Sequence, residues 1–514
     1  MKSVDAISIE YGSMLLEKGC LVSLGNSDFA IDHGSLGRVF PEALAMFLAL
    51  YLAGCSFVPD YVQPSLPVPD SYAVATPEGG SLAGRDWEQV FPDPELRALV
   101  AQALANNRDI RIAAARVAQA RGAWRIEGAS LYPQLDVVAT GTRGQAFYSL
   151  PVIGDQIVDV KSITAQLSAS WEIDFWGRLR NLKEAAREQF LASEESRRAV
   201  ATDLIAQVAL GYLLEREYEE RAALTQQSIT TRQETLRIMR RRYEVGSGSK
   251  LDLAQSQVLL AQADTTMHVL NLDRAVNRNA LALLVGQPVE IAPGSLRLAG
   301  PGGDYQVPAG LPSELLTNRP DIVAAEHQLR AANANIGAAR AAFFPNISLT
   351  GAYGTTSPDL DGLFGGNSEV WSFSPTIRLP LFNAGRLKGN LDVAQARRNE
   401  AVATYEKTIQ SAFRDVSDAL VRRRQIALQI GTTRQLVDAQ RERARLAQLR
   451  FDNGRSTYLE VLDAQRDLFD AEQALVQLRR GELSSIVSLY AALGGGFVVN
   501  RGIAAAPSGN QGEP

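Results

Sequence analysis

The amino-acid sequence predicts an α+β membrane protein in which a few amphipathic strands are combined with very long helices. Three observations support this class. The chain contains a tandem duplication, each copy carries one β-hairpin pattern, and each copy carries a long proline-free helical stretch. Together they predict a chain built from two copies of one structural unit.

The duplication is visible as residues that recur first at an interval of 212 positions and then at one of 208. Because the matched residues keep their order, we expect two repeats, 93–286 and 305–494. The stretch 287–304 is rich in Pro and Gly and is predicted to be a linker, and 495–514 has the composition of a disordered tail. The matches include Asp109 with Asp321, Pro133 with Pro345, Gly177 with Gly385, Gly246 with Gly454, and Gly286 with Gly494.

A strand is predicted at residues 163–175, where every odd position is apolar and every even one is polar. This period of two is typical of a strand with one apolar and one polar face. The second copy repeats the pattern at 371–381. Weaker strand patterns at 134–142 and 346–353 precede these two, so each repeat is predicted to contain one hairpin.

Long helices are predicted at residues 179–245 and 387–453, which contain no proline and are rich in Ala, Leu, Glu, Gln and Arg. At 1.5 Å per residue each would be about 100 Å long, several times the length that a compact domain needs. Beyond Gly246 and Gly454 the chain is predicted to turn back as a second helix with a coiled-coil seam. The seam residues are Leu253, Ser256, Leu260, Ala263, Met267 and Leu270 in the first copy, and Val461, Ala464, Leu468, Ala471, Leu475 and Leu478 in the second.

Four amphipathic strands per chain predict that several chains associate. An open sheet leaves edges that a hydrocarbon layer cannot hydrogen-bond, and a membrane barrel needs at least eight strands. One barrel therefore has to combine the strands of several copies.

The sequence Leu52-Ala-Gly-Cys55 forms a lipobox at the end of an apolar run. The run is about a dozen residues, short of the ~20 that span a bilayer, and it is predicted to end a cleaved signal peptide covering 1–54. Cys55 would then carry a covalent lipid, followed by a Pro-rich segment, 55–92. Residues 1–37 are acidic rather than basic, so we expect the natural start near Arg38. The alternative is a buried helix that ends in an inert cysteine.

Composition excludes several other classes. The net charge of −5 provides no basic stripe for nucleic acid. With two cysteines and three histidines far apart in sequence, neither a metal site, nor another cofactor site built from Cys and His, nor a disulfide framework is expected. The GxSxG, HExxH and phosphate-loop motifs are absent, which argues against an enzyme.

Several motifs occur together with these features. They are Cys55-Ser-Phe-Val-Pro-Asp-Tyr-Val-Gln-Pro64, Asn318-Arg-Pro-Asp-Ile322, Phe343-Phe-Pro345 and Tyr458-Leu-Glu-Val-Leu-Asp-Ala-Gln465. With the duplication, they resemble the TolC-like outer-membrane efflux proteins, in the lipidated NodT/OprM-type branch. The resemblance implies a homotrimer whose twelve-stranded β-barrel, four strands from each chain, continues as a long α-helical coiled-coil barrel.

The resemblance also implies the location and the partners. The barrel would lie in the bacterial outer membrane, anchored by the lipid, with its helical part in the periplasm. A periplasmic adaptor (membrane fusion) protein and an inner-membrane pump of the resistance-nodulation-division (RND) type would be the partners. The chain would be a passive exit duct, and drugs, metal ions, solvents and siderophores all remain candidate cargoes.

The same resemblance implies a periplasmic gate just after each tip turn, where acidic and apolar side chains would close the channel. Carboxylates brought near a threefold axis repel one another and attract cations. The alternative is that the acidic residues are ordinary solvated helix charges. The predicted gate residues are Leu459, Glu460 and Asp463 in the second repeat and Leu251, Asp252 and Gln255 in the first.

The turns that precede the gate resemble the adaptor-docking turns of the family. Glycine in each turn would supply a positive φ between two helices whether or not a partner docks there. Arg242 and Arg450, one turn earlier, are expected to pair with nearby acids. The docking turns are Val245-Gly246-Ser247 and Asn453-Gly454-Arg455.

Two other functions remain open at this level. The outer-membrane component of a type I protein-secretion system would share the same channel end. A structural coiled-coil lipoprotein would explain the long helices and Cys55, although a fibre has no need of strands with one lipid-compatible face.

Overall fold

The computed structural model describes residues 57–72, 85–150, 154–294, 298 and 314–496. The predictions for Cys55, for the signal peptide and for most of the tail lie outside these residues. The described chain forms two compact units. One contains Arg121–Gln189 and Leu329–Glu400, and the other contains Gln63–Ala120, Phe190–Gln328 and the residues from Ala401 onward.

Helices dominate the chain, and four strands accompany them. The helices are α1 (Trp87–Val90), α2 (Pro94–Asn106), α3 (Arg108–Ala129), α4 (Arg178–Glu244), α5 (Lys250–Val285), α6 (Leu315–Asn318), α7 (Pro320–Ala341), α8 (Arg386–Asp452) and α9 (Tyr458–Ala492). The strands are β1 (Gln134–Leu150), β2 (Gly154–Ile173), β3 (Asn346–Ser357) and β4 (Glu369–Arg378).

The same elements recur in both halves of the chain. Helices α3 and α7 both have 22 residues, and α4 and α8 both have 67. The predicted long helices are confirmed to within one residue at each end. Every predicted seam position of α5 and α9 is buried or half-buried, as expected for helices that pack along one stripe.

The ends of the repeats are held by equivalent contacts. Asn107 caps α3 and donates from its side-chain amide to the carbonyl of Leu284 over 2.8 Å. In the second copy the matching residue is Arg319, whose guanidinium donates to the carbonyl of Ala492 over 3.1 Å. Both contacts join the start of one helix to the end of another helix of the same repeat.

The four strands form one antiparallel sheet in the order β1-β2-β3-β4. Both predicted hairpins are confirmed, and β2 of the first repeat pairs with β3 of the second. The first hairpin is longer than its alternation predicted, since backbone pairing continues to Leu150 opposite Gly154. β2 ends at Ile173 rather than 175, because the Asp174 side chain accepts hydrogen bonds from the first amides of α4.

The main apolar core lies in the second unit, where α2, α4, α5 and α9 contribute side chains. Ile291 and Leu298 of the predicted linker are buried in this core. Among the described residues, no helix combines the length and the apolarity that a membrane-crossing helix requires.

Candidate membrane face, gate and docking turns

The register of the sheet places apolar side chains on one face of all four strands. Residues that are directly opposed in an antiparallel pair point to the same side of the sheet. Val137 pairs with Leu167, Leu167 with Tyr353, and Tyr353 with Trp371. These side chains are exposed, with 83% of Val137 and 77% of Trp371 accessible. The sheet therefore presents an uncovered apolar face.

The opposite face of the same sheet is polar. One position along each strand, Asp136 pairs with Ser168, Ser168 with Ala352, and Ala352 with Ser372. Nearer the start of β2 on the same face, the hydroxyls of Thr164 and Thr356 lie 3.0 Å apart. A sheet with one apolar and one polar exposed face separates two environments of different polarity.

The apolar face has the height of a membrane. It extends along β2 from Ile163 to Ile173, ten steps of ~3.4 Å, which a strand tilt of about 45° reduces to roughly 25 Å. At one end of this band the face becomes polar. The Tyr353 hydroxyl donates to Glu369, at the level of Ala165, over 2.7 Å, and Lys161, two residues past Ile163, pairs with Asp359. The chemistry thus changes where a bilayer would end.

The predicted docking turns both form the same helix-ending motif. Gly246 has φ 75° and Gly454 has φ 68°, the left-handed region that favours glycine. The amide of Ser247 donates to the Arg242 carbonyl over 2.9 Å, and that of Arg455 to the Arg450 carbonyl over 2.8 Å. These bonds satisfy carbonyls at the helix end, and the six docking-turn residues are exposed.

The predicted gate residues lie in the first turns of α5 and α9, directly after the docking turns. Leu459 is 48% exposed and Leu251 is 64% exposed, which is unusual for leucines at the start of a packed helix. Asp463 lies four residues after Leu459 and three after Glu460, so it is a neighbour of both on the surface of α9. Asp252 and Gln255 occupy the matching positions on α5 and are half-buried.

A small apolar cluster fixes the orientation of α9 at this point. Its members come from all four long helices, so the gate segment of the second repeat packs against the first repeat. Burial in this cluster raises the pKa of Tyr458 above its ordinary value. The cluster comprises Met239, Leu259, Ala447, Tyr458, Val461, Leu462 and Ala464.

The predicted gate acids make loose ion pairs. Glu460 lies 3.8 Å from Arg450, and Asp463 lies 3.4 Å from Arg466. Exposed pairs of this kind contribute roughly 0–1 kcal/mol. Pairs this weak do not hold the two carboxylates in one fixed position.

Asp467, one turn further along α9, was not singled out from the sequence. A hydrogen bond from Arg443 of α8, supported by Arg466, holds the pKa of its carboxyl below the usual range. The i,i+1 pair with Arg466 is visible in the sequence. The pair with Arg443 joins two helices and has no sequence signal.

The expectation that both tip arginines pair with acids holds for Arg450 and is wrong for Arg242. The guanidinium of Arg242 lies 5.1 Å from the centre of the Phe451 ring, which belongs to the end of α8 in the second repeat. Cation–π contacts of exposed arginines contribute about 0.5–1 kcal/mol. Arg242 therefore links the two tips rather than neutralising an acid.

No cluster of three or more His, Cys, Asp and Glu side chains suited to a metal ion occurs in the part of the chain that the structure describes.

Comparison with known proteins identifies the family. The model of the family described as outer membrane efflux protein matches residues 99–287 and 311–495, which include both long helices and all four strands. The chain belongs to the outer membrane efflux protein family. This outer membrane efflux protein is 43% identical over 470 residues to the solvent efflux pump outer membrane protein SrpC of Pseudomonas putida, covering 90% of this chain and 99% of that protein.

Two further similarities agree with this assignment. The cation efflux system protein CusC of Escherichia coli is 37% identical over 462 residues, covering 89% of this chain and 99% of that protein. The open state of the MtrE outer membrane channel of Neisseria gonorrhoeae has a TM-score of 0.77 at 37% identity, covering 86% of this chain and 98% of that chain.

Proposed function

We propose that three copies of this outer membrane efflux protein form the exit duct of a tripartite efflux system. An inner-membrane pump of the resistance-nodulation-division type and a periplasmic adaptor would deliver the cargo. The duct would conduct passively, along the polar face of its sheet. A covalent lipid on Cys55 would anchor each chain to the outer membrane, with the helical part in the periplasm.

The observation that carries this proposal is the two-faced sheet with unpaired outer edges. Among the described residues, β1 and β4 each pair on one side only. Hydrocarbon cannot satisfy the free backbone groups of such edges. Pairing β4 of one copy with β1 of the next closes the sheet into a barrel with the apolar face outward and the polar face lining water.

The long helices support the rest of the proposal. Helices α4 and α8 reach about 100 Å at 1.5 Å per residue, far enough to carry a duct across the space below the membrane. Their turns, with Gly246 and Gly454, would dock the adaptor. The exposed Leu459 and the acids beside it would narrow the opening there.

The test compares arginine on the two faces of β4. Phe373→Arg places a charge on the apolar face, where it should cost about 2–4 kcal/mol near the middle of a bilayer. Ser374→Arg, the matched control on the polar face, should be tolerated. We expect Phe373→Arg to reduce the yield of membrane-inserted oligomer on semi-native gels, whereas Ser374→Arg should assemble normally.

Planar-bilayer recording completes this comparison. Assembled Ser374→Arg should conduct with altered ion selectivity, since the new cations would line the wet interior. Equal tolerance of the two arginines, or loss of assembly by Ser374→Arg alone, would contradict the assignment of the faces.

A further inference from the structure

A cavity of about 250 Å³ lies at the end of the sheet, where the two long helices begin. Three arginines line it. They are Arg178 and Arg386, the first residues of α4 and α8, and Arg378, the last residue of β4. A volume of this order accepts a small molecule.

The two acids that line the same cavity already have partners. Each oxygen of the Glu172 carboxylate accepts a hydrogen bond from the Arg178 guanidinium over 2.8 Å. Asp174 accepts from the amides of Leu179 and Arg180 over 3.0 and 2.9 Å, and its carboxylate lies 3.2 Å from the Arg180 guanidinium. Neither acid is therefore left to neutralise the other two arginines of the cavity.

The duplication shows that the second repeat lacks the acids of the first. Arg386 is the copy of Arg178, at a displacement of 208 positions. At the same displacement, Pro380 and Phe382 replace the two acids, and the side chain of Asn383 accepts a hydrogen bond at the start of α8 instead. The second repeat thus keeps the cation of this turn without its carboxylate partner.

Arg378 and Arg386 are exposed cations without partners in the chain. Among the residues that the structure describes, neither side chain takes part in an ion pair or a hydrogen bond. Guanidinium groups present paired N–H donors that match the two oxygens of a carboxylate. The two arginines therefore offer unused donors and unbalanced positive charge to the cavity.

Arg378 belongs to the polar face of the sheet. It pairs with Asn346, one position beyond Ile377 of the apolar face, so its side chain points to the opposite side. Glu172, which pairs with Ser348, lies on this polar face as well. In the proposed barrel the polar face lines water, and the cavity would then lie on the wall of the duct.

Much of the remaining cavity wall is apolar. A wall of this kind can bury the hydrocarbon part of a ligand, while a few polar groups fix its orientation. A small organic anion with an apolar body matches both parts of the cavity. The apolar residues of the wall include Ile173, Phe175, Phe344, Pro345 and Pro380.

We propose that Arg378 and Arg386 form a binding subsite for small organic carboxylates on the wall of the duct. The guanidinium groups donate to the carboxylate, and the apolar residues contact the rest of the molecule. The inference rests on the proposed function, because closure of the barrel is what turns the polar face inward. It adds organic anions to the cargoes that the duct would carry.

Saturation-transfer NMR with benzoate tests the subsite on the full-length oligomer in detergent. Benzoate should bind the unsubstituted protein above the background of empty micelles, whereas the neutral benzyl alcohol should not. Arg378→Gln with Arg386→Gln should weaken benzoate binding roughly tenfold or more, because hydrogen bonds between charged groups are the strong ones. Arg378→Lys with Arg386→Lys should weaken it less, since lysine keeps the charge and loses the planar fork.

Arg143→Gln with Lys161→Gln is the matched control. These two cations are directly opposed in the β1–β2 pair and lie on the other face of the sheet, in line with Ile163. Their removal changes the net charge by the same amount but outside the duct. Benzoate binding should therefore equal that of the unsubstituted protein.

Reversal potentials across planar bilayers give a second readout. In a KCl gradient, the Arg378→Gln, Arg386→Gln variant should shift towards potassium relative to the control, because cations that line a pore attract chloride. Equal benzoate binding by this variant and the control, or no binding by the unsubstituted protein, would overturn the subsite. Loss of assembly by the variant would also overturn it, since the arginines would then be structural contacts. Unsubstituted oligomers that conduct no ions would instead count against the proposed function.

Discussion

At the residue scale, neighbouring side chains at the gate have opposite environments. Tyr458 is 3% exposed, whereas the next residue, Leu459, is among the exposed apolar side chains. The first copy has the exposed Lys250 where the second has Tyr458. The start of α9 is therefore anchored by an aromatic side chain, and the start of α5 is not. This asymmetry makes the second repeat the better fixed half of the proposed gate.

Removing the exposed side chains of the α9 gate should open the channel. Leu459→Ala with Asp463→Ala deletes apolar bulk and negative charge without touching the buried cluster around Tyr458. We expect a larger ion conductance of reconstituted oligomers in planar bilayers, because the narrowest part of the path would widen. Cation preference should fall at the same time, as one carboxylate per chain is lost.

The control changes the same residue types elsewhere on the helices. Leu446→Ala with Asp438→Ala alters exposed positions of α8 away from the first turn of α9. Its conductance should equal that of the unsubstituted protein. A double gate variant that conducts like this control would show that Leu459 and Asp463 are ordinary surface residues.

At the element scale, one turn of α4 connects it to three neighbours. Successive residues point about 100° apart around a helix, so three in a row face three directions. Glu215 pairs with Arg274 and Arg278 of α5, and Arg216 pairs with Glu95 of α2. Glu217 pairs with Arg480 of α9. Each of these ionic groups on α4 is buried and has a partner, so this turn fixes how the helices are assembled.

Replacing the central residue of this turn should destabilise the helical unit. The side chain of Arg216 is 1% exposed and also donates to Glu219 and to the Ala292 carbonyl. Arg216→Met would remove the cation that Glu95 and Glu219 face in a largely buried site, at a cost of about 3–5 kcal/mol. The measurement is the urea midpoint of unfolding in detergent.

Arg237→Met provides the comparison for this variant. Arg237 belongs to the same helix and pairs with Glu234 on an exposed surface. Its replacement should leave the urea midpoint unchanged, since exposed pairs contribute little. If both variants unfolded at the same urea concentration, the buried turn would not be a stabilising junction.

At the scale of the whole molecule, closing the sheet requires several copies of the chain. Among the described residues each chain supplies four strands with two outer edges, so the proposed trimer would contribute 12 strands, with an interior wide enough for a water-filled path.

Native mass spectrometry from detergent micelles should therefore find three chains per particle. The apolar face of the sheet makes detergent or lipid necessary, because so large an exposed apolar surface associates in water. Dilution below the detergent's critical micelle concentration should cause precipitation. A monomer that stays dissolved without detergent would contradict both the barrel and the membrane face.

The helices, the strands and the two faces of the sheet could be predicted from the amino-acid sequence. Helix length follows from the absence of proline between Arg178 and Glu244, and strand faces follow from the period of two at 163–173. The positions of the coiled-coil seam, such as Val461, follow from apolar residues spaced alternately three and four positions apart. These features depend on neighbours in sequence, and the duplication supplied each pattern twice. The positions of the tip glycines were predictable for the same reason.

Which helices and strands contact one another could not be predicted from the sequence and is seen in the folded chain. That β2 pairs with β3 across the repeats, that Arg242 lies over Phe451, and that Arg443 reaches Asp467 are contacts between distant segments. No local pattern encodes them, because a charge or ring on a helix surface has many possible partners of equal chemistry. The choice among those partners is made by the packing of whole helices, whose apolar burial outweighs any single polar contact.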